Sequence, residues 1–361
     1  MKKNQLILGL IFLAILVALG AYAQHQHPFD FHAFIHQFQQ ADWTHIGIAA
    51  AAIYLAYVFR AVRWALLIRH NKRVGLFSLL GTQVIGFTAV ALIGRVADFI
   101  RPYLVSRKTG LPVSTQIATY IVERLFDSGS MALLFSLVIA LAPRGSLPHQ
   151  EIFYKVAYWG LGGTAAGAIF LVAVRLAGGA VASFFQRVFS IVSKGFGHSI
   201  GNKIRSFRTG LDTLRTPLDL ALTLGLSLCM WSLITLAYFE TATAFVASPE
   251  LAQMTLPQCM VILGASGGAS VFQLPVLGWF TQIGAVAATF SKLFNVAPEP
   301  ATACAATLLL VTFLGIVPVG LIWAQFEHIS FRKIAHESEH AAETVEESKE
   351  ENQPPPEPRK A

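Results

Sequence analysis

Between Leu92 and Asp127 an otherwise apolar chain collects Arg95, Asp98, Arg101, Arg107, Lys108, Glu123, Arg124 and Asp127. The whole chain of 361 residues is 54% hydrophobic and only 13% charged, and apolar runs at 74–94 and 128–142 flank this stretch directly. A charge held at bilayer depth costs roughly 2.5–3.5 kcal/mol on insertion scales, so such groups persist where they are paired or face water. The spacing offers pairs. Arg95 and Asp98 are three apart, as are Arg124 and Asp127, and Glu123 shares a helical face with Asp127. Arginine's planar fork can meet two phosphate oxygens at once, which a lysine cannot reproduce. Arg95, Arg101 and Arg124 are therefore candidate ligands for a lipid phosphate, with Asp98, Glu123 and Asp127 as orienting or ion-pair partners. The competing reading of the same residues is a purely structural ion-pair network. No G-x-S-x-G, H-E-x-x-H or P-loop pattern accompanies them, so the expectation is a protein that is not an enzyme, needs no cofactor and is not driven by ATP.

The order G-R-x-x-D-x-x-R, then E-R-x-x-D about twenty residues later, resembles the lysylphosphatidylglycerol synthase transmembrane-region family, whose pattern is roughly P-x-R-x-G-E-x-x-R and E-R-x-x-D. Arg95, Arg101, Glu123, Arg124 and Asp127 match it, while Ile93, Ala97 and Asp98 stand for Pro, Gly and Glu. A second, weaker similarity begins at Ser266, where the family has P-G-G-x-G-x-x-E. Gly267 and Gly268 match there, and Ser270 and Gln273 replace Gly and Glu. The resemblance implies a flippase-like membrane domain. Family members that are aminoacyl-lipid synthases add a large soluble domain, and the short acidic tail here leaves none expected.

Mean hydropathy is +0.57, and several apolar runs reach the roughly 20 residues that a spanning helix needs. The fold expected is all-α and polytopic: residues 1–326 as one flippase-like membrane domain, and 327–361 as an acidic, Pro-rich, disordered cytoplasmic tail. The net charge of +7 then belongs to the membrane body, where it reports orientation and anionic lipid rather than nucleic acid. Cys229, Cys259 and Cys304 are far apart and fit neither a disulfide framework nor a zinc site.

Lys2 and Lys3 precede an apolar run from Leu6 to Gly20, read as a retained first span, with a signal peptide cleaved after Ala21-Tyr22-Ala23 as the alternative. His25, His27, His32, His36 and His45 follow. His32 and His36 are one turn apart, as metal ligands would be, but Phe31, Phe34, Ile35 and Phe38 favour an interfacial helix. The second span, Trp43 to Val62, leads to a basic loop containing Arg60, Arg63, Arg69, Lys72 and Arg73, a cytoplasmic mark. Residues 74–94 could span, yet crossing would put the next basic cluster outside. A hairpin entering from the cytoplasmic side, turning near Gly94 and broken at Pro102, reconciles these facts. Crossings at 128–142, 152–174 and 218–246 follow, with a basic amphipathic surface segment at 175–215. A second hairpin, 256–292 around Gly267, Gly268 and Pro275, enters from outside, and 301–323 crosses last.

These readings give about six spanning helices plus two re-entrant hairpins, an order compatible with an inverted repeat, both termini being cytoplasmic and the protein multi-pass in the cell (inner) membrane. The function expected is transport of an anionic lipid, or of a polyprenyl-phosphate-linked carrier, between leaflets. A non-transporting scaffold or regulator of a lipid-modifying enzyme is the alternative. The partners expected are membrane lipids with an anionic headgroup or a polyprenyl phosphate.

Overall fold

The computed structural model describes residues 29–191, 193, 195, 198–200, 216–270 and 277–329. The expected first span, His25, His27, the stretch 201–215, Gln273 and the tail from 330 onward lie outside them. The helices are α1 Phe31–Gln40, α2 Trp43–Ile68, α3 Leu76–Ile93, α4 Ile100–Thr109, α5 Val113–Ala140, α6 Gln150–Ser190, α7 Pro217–Thr243, α8 Leu256–Ala269, α9 Leu277–Phe294, α10 Pro298–Leu309 and α11 Ile316–Phe326. No strand occurs among the described residues. Five stretches, 43–68, 76–93, 150–174, 217–243 and 298–326, are long and apolar enough to cross a membrane. The chain is an all-α, multi-pass membrane protein.

Local chemistry sets the helix ends. The Asp42 carboxylate takes the Thr44 amide at 2.8 Å to start α2, and that hydrogen bond lowers the pKa of Asp42. Thr216 with Asp219, and Thr255 with Gln258, form capping boxes, each with a proline in the first turn of α7 or α8. Helix α3 stops at Gly94, whose φ of 91° is a conformation that other residues rarely adopt. The chain returns through a 3-10 turn, Arg95–Phe99, into α4. Pro102 does not break this arm, contrary to expectation. It lies in the first turn of α4, where no helical partner needs its missing N–H.

The return arm ends where α3 began: Lys108 Nζ donates to Ser78 O at 3.0 Å, and Lys72 Nζ to Thr109 O at 2.6 Å. This first hairpin therefore opens at the end of the molecule that carries Arg69, Lys72, Arg73 and Arg107, called here the basic end. Helix α5 then runs unbroken over 28 residues, about 42 Å at 1.5 Å per residue. The expected crossing at 128–142 is only its second half, and the charged motif lies in its middle.

Helices α8 and α9 form the second hairpin, and Gln258 Nε2 donates to Ser146 O at 3.2 Å, in the loop between α5 and α6. It opens at the opposite end. The hairpins meet near their turns, where the Trp279 indole donates to Ala91 O at 3.2 Å. Helices α2 and α7 form the most extensive helix pair and run antiparallel. Asp42 N donates to Ala244 O at 2.8 Å at one end of this pair, and Arg69 joins Asp219 at the other. A long helix, a hairpin and a second long helix thus occur twice, the hairpins opening oppositely.

Two local departures from regular helix matter. Helix α6 is non-helical at Ala177 (φ −130°, ψ 36°), where the apolar span ends and the amphipathic segment begins. Between α10 and α11 residues 310–314 form a π-turn, with Gly315 N bonded to Leu310 O at 2.6 Å. Pro318 follows and has no N–H to offer Leu314 O, so an α-helix could not pass through unchanged. Helix α1 docks Phe34 and Phe38 on the protein core and leaves Phe31 and Ile35 exposed, so the four residues do not form one membrane-facing stripe.

Candidate functional site

Glu123 and Asp127, one turn apart on α5, face Arg63 on α2. Arg63 reaches Glu123 Oε1 with Nη2 at 2.7 Å and Asp127 Oδ1 with Nη1 at 2.5 Å, and it also donates to Ser227 Oγ on α7 at 2.7 Å. The side chains of Arg63 and Glu123 are each only 1% exposed. Arg101 on α4 approaches the other side of Glu123, donating to Oε2 at 3.3 Å and to Gln83 Oε1 at 3.1 Å. Its guanidinium lies over the rings of Phe87 at 4.5 Å and Tyr120 at 5.1 Å. Gly86 makes this approach possible, because any Cβ there would overlap the Arg101 side chain. A buried carboxylate that lost either arginine would remain uncompensated, so these bonds hold α2, α4 and α5 together.

Two further arginines are placed differently. Arg60 Nη1 lies 3.5 Å from Asp127 Oδ2, and Arg124 Nη2 lies 2.9 Å from the same oxygen. Among the described residues neither guanidinium makes an aligned hydrogen bond, although those distances bring charge close to charge. Both border a cavity of about 230 Å³, as does Asp98, which is 3.8 Å from Arg101. Arg124 is 38% exposed and Arg60 11%. The described side chains set Arg60, Arg63, Arg101 and Arg124 against Asp98, Glu123 and Asp127, one positive charge in excess. In a low-dielectric setting such an excess favours an anion.

The site differs from the sequence-based expectation in four respects. Arg101 is fully buried in the network and does not border the cavity. Arg95 lies in the 3-10 turn, and its side chain is outside what the structure describes. Arg60 and Arg63 are not loop residues, because α2 continues to Ile68, six residues beyond the expected end of the span. Gly267 and Gly268 lie within α8, near its C-terminus, so their amides belong to the helix and the nearby helix end presents carbonyls, which disfavour an anion.

The family model of the lysylphosphatidylglycerol synthase transmembrane region matches residues 6–320, taking in both hairpins and the whole cluster. The chain belongs to that family. No curated protein and no solved structure matches it.

Within this family member the opposite wall of the cavity comes from the second half and is neutral. Tyr238 on α7 donates to Ser266 Oγ on α8 at 2.8 Å, and Gln282 Nε2 on α9 donates to the same oxygen at 2.7 Å. Trp231 and the π-turn residues Thr312 and Phe313 complete that side. Sequence reasoning missed this wall, since neutral polar residues scattered through apolar helices carry no spacing signal. It also missed Arg60 and Arg63, although the apolar run Trp64–Ile68 beyond them showed that the helix continues.

Proposed function

We propose that this protein moves an anionic lipid, a phospholipid or a lipid-phosphate carrier, between membrane leaflets, and that Arg60 and Arg124 hold its phosphate. It acts by binding and shielding rather than by bond chemistry. The observation that carries this reading is the excess positive charge beside the cavity, borne by two arginines with donors still unassigned to protein acceptors. The cavity's position supports it too. It draws residues from both halves, near the level at which the oppositely opening hairpins touch, and midplane sites between inverted halves suit alternating access. Arg63 and Arg101 then serve as framework, and the carboxylates fix the ligand arginines in orientation. The loop charges favour a cytoplasmic basic end.

The test is leaflet exchange of a fluorescent anionic phospholipid in proteoliposomes. Arg60→Lys and Arg124→Lys each keep the charge and lose the fork, so protein abundance in the membrane should hold while exchange falls about 10- to 100-fold, the worth of a charge-assisted hydrogen bond. Normal exchange by both variants would overturn the phosphate assignment. The scaffold reading differs in requiring no lipid movement by the wild-type protein.

A further inference from the structure

The two walls of the cavity make different demands on a ligand. We propose that the neutral wall of the second half reads the headgroup, and that the lipid it selects carries a small, uncharged, hydroxyl-bearing alcohol of about glycerol size on the phosphate. This rests on the phosphate reading above and narrows it.

Ser266 Oγ accepts hydrogen bonds from both Tyr238 and Gln282, so its lone pairs are taken and its own proton is left to donate. The side-chain carbonyl of Gln282 has no partner among the described residues, and neither does the buried indole N–H of Trp231, which borders the same space. Donors and acceptors thus alternate without charge, and hydroxyl groups, which both donate and accept, complement such a surface. An ammonium-bearing headgroup fits poorly. Asp98 is the only carboxylate bordering the cavity among the described residues, it lies on the charged wall, and Arg101 already neighbours it. An ammonium would be buried near Arg60 and Arg124 without a counter-charge. A bare phosphate monoester would leave the neutral wall's polar groups unpaired, which disfavours binding. Size limits the choice from the other side, since a cavity of about 230 Å³ falls below the roughly 300–1,000 Å³ that drug-sized ligands occupy. An oligosaccharide on a lipid carrier would not fit.

The experiment uses the full-length protein in phosphatidylcholine nanodiscs, with bound lipid counted by native mass spectrometry. The probes are phosphatidylglycerol, phosphatidic acid, phosphatidylethanolamine and soluble glycerol phosphate. Phosphatidylglycerol should bind about tenfold more tightly than phosphatidic acid, which corresponds to one or two net hydrogen bonds. It should also bind more tightly than phosphatidylethanolamine, and glycerol phosphate should fail to displace it at matched concentration. Gln282→Leu and the smaller change Ser266→Ala should each reduce the phosphatidylglycerol-to-phosphatidic-acid ratio below about threefold. That ratio is read on folded protein and needs no comparison of yields. Equal binding of the two anionic lipids by the wild type overturns the headgroup proposal and leaves phosphate binding at Arg60 and Arg124 standing. A preference for phosphatidylethanolamine overturns it as well, and competition by glycerol phosphate overturns its lipid-borne part. Absence of any preference for anionic over neutral lipid would instead remove the phosphate reading on which the proposal rests.

Discussion

The first hairpin and the helix after it carry Asp98, Arg101, Glu123, Arg124 and Asp127. The second hairpin and its following helix bring Ser266, Gln282 and Thr312 to the same cavity, and no charge. The backbone plan is alike and the chemistry is opposed. Charges buried together must neutralise one another at fixed distances, so the first half is tied into a rigid frame of α2, α4 and α5. Neutral hydroxyls and amides can exchange partners at small cost, which leaves the second half free to vary with the ligand. Two walls of one site can therefore divide the work, one holding fixed charge and the other discriminating.

Removing a charge from the frame should break this contrast most severely. Glu123→Ala leaves Arg63 and Arg101 without their shared carboxylate, and breaking such a buried pair costs about 3–5 kcal/mol. The expected outcome is loss of the protein from the membrane fraction, and near-normal abundance would show that the frame is not electrostatic. A smaller loss should follow Gly86→Ala, which forces Arg101 to shift with all charges retained and should cost about 1–3 kcal/mol. Its counterpart in the second half, Gly267→Ala, meets only the Met131 methyl at an ordinary 3.6 Å. The thermal midpoint in detergent should fall for the first and hold for the second. Tyr238→Phe deletes one neutral hydrogen bond to Ser266 and should cost about 0.5–1.5 kcal/mol. A loss as large as that of Glu123→Ala would erase the proposed difference between the halves. The smallest effect belongs to Lys108→Ala at the basic end, where a partly exposed pair with Glu327 at 2.7 Å contributes roughly 0.2–1 kcal/mol. High salt should mask it.

Much of this was readable before any coordinates. Runs of apolar residues located the helices, and loop charge argued that residues 74–109 turn back rather than cross. The spacing of Glu123, Arg124 and Asp127 on one helix placed the heart of the cluster. The failures share a cause, because loop charge and buried charge look alike in a sequence. Arg60 and Arg63 stand next to Arg69, Lys72 and Arg73, and they were read as one basic loop although α2 carries the first two into the protein. The roles of the cluster's arginines were not separable either. Which guanidinium borders a cavity and which is locked between carboxylates depends on how α2, α4 and α5 rotate against one another. Gly86, which lets Arg101 pass, looked like one more small residue in an apolar run.

The π-turn at 310–314 acts on the phase of the last helix. Each residue of an α-helix advances the chain about 100° around the axis, so a five-residue ring rotates everything beyond it by about that angle. Before the turn, Cys304 and Leu308 face the core around the second hairpin; beyond it, Trp323 and Ala324 face the first hairpin. A straight helix in this position could keep only one of those alignments. The single added residue works as a phase-shifting joint, letting one rod gear with two oppositely oriented halves. Deleting one residue within 310–314 would restore the regular helical screw and turn Trp323 and Glu327 away from α3 and Lys108, with every other residue of the rod unchanged.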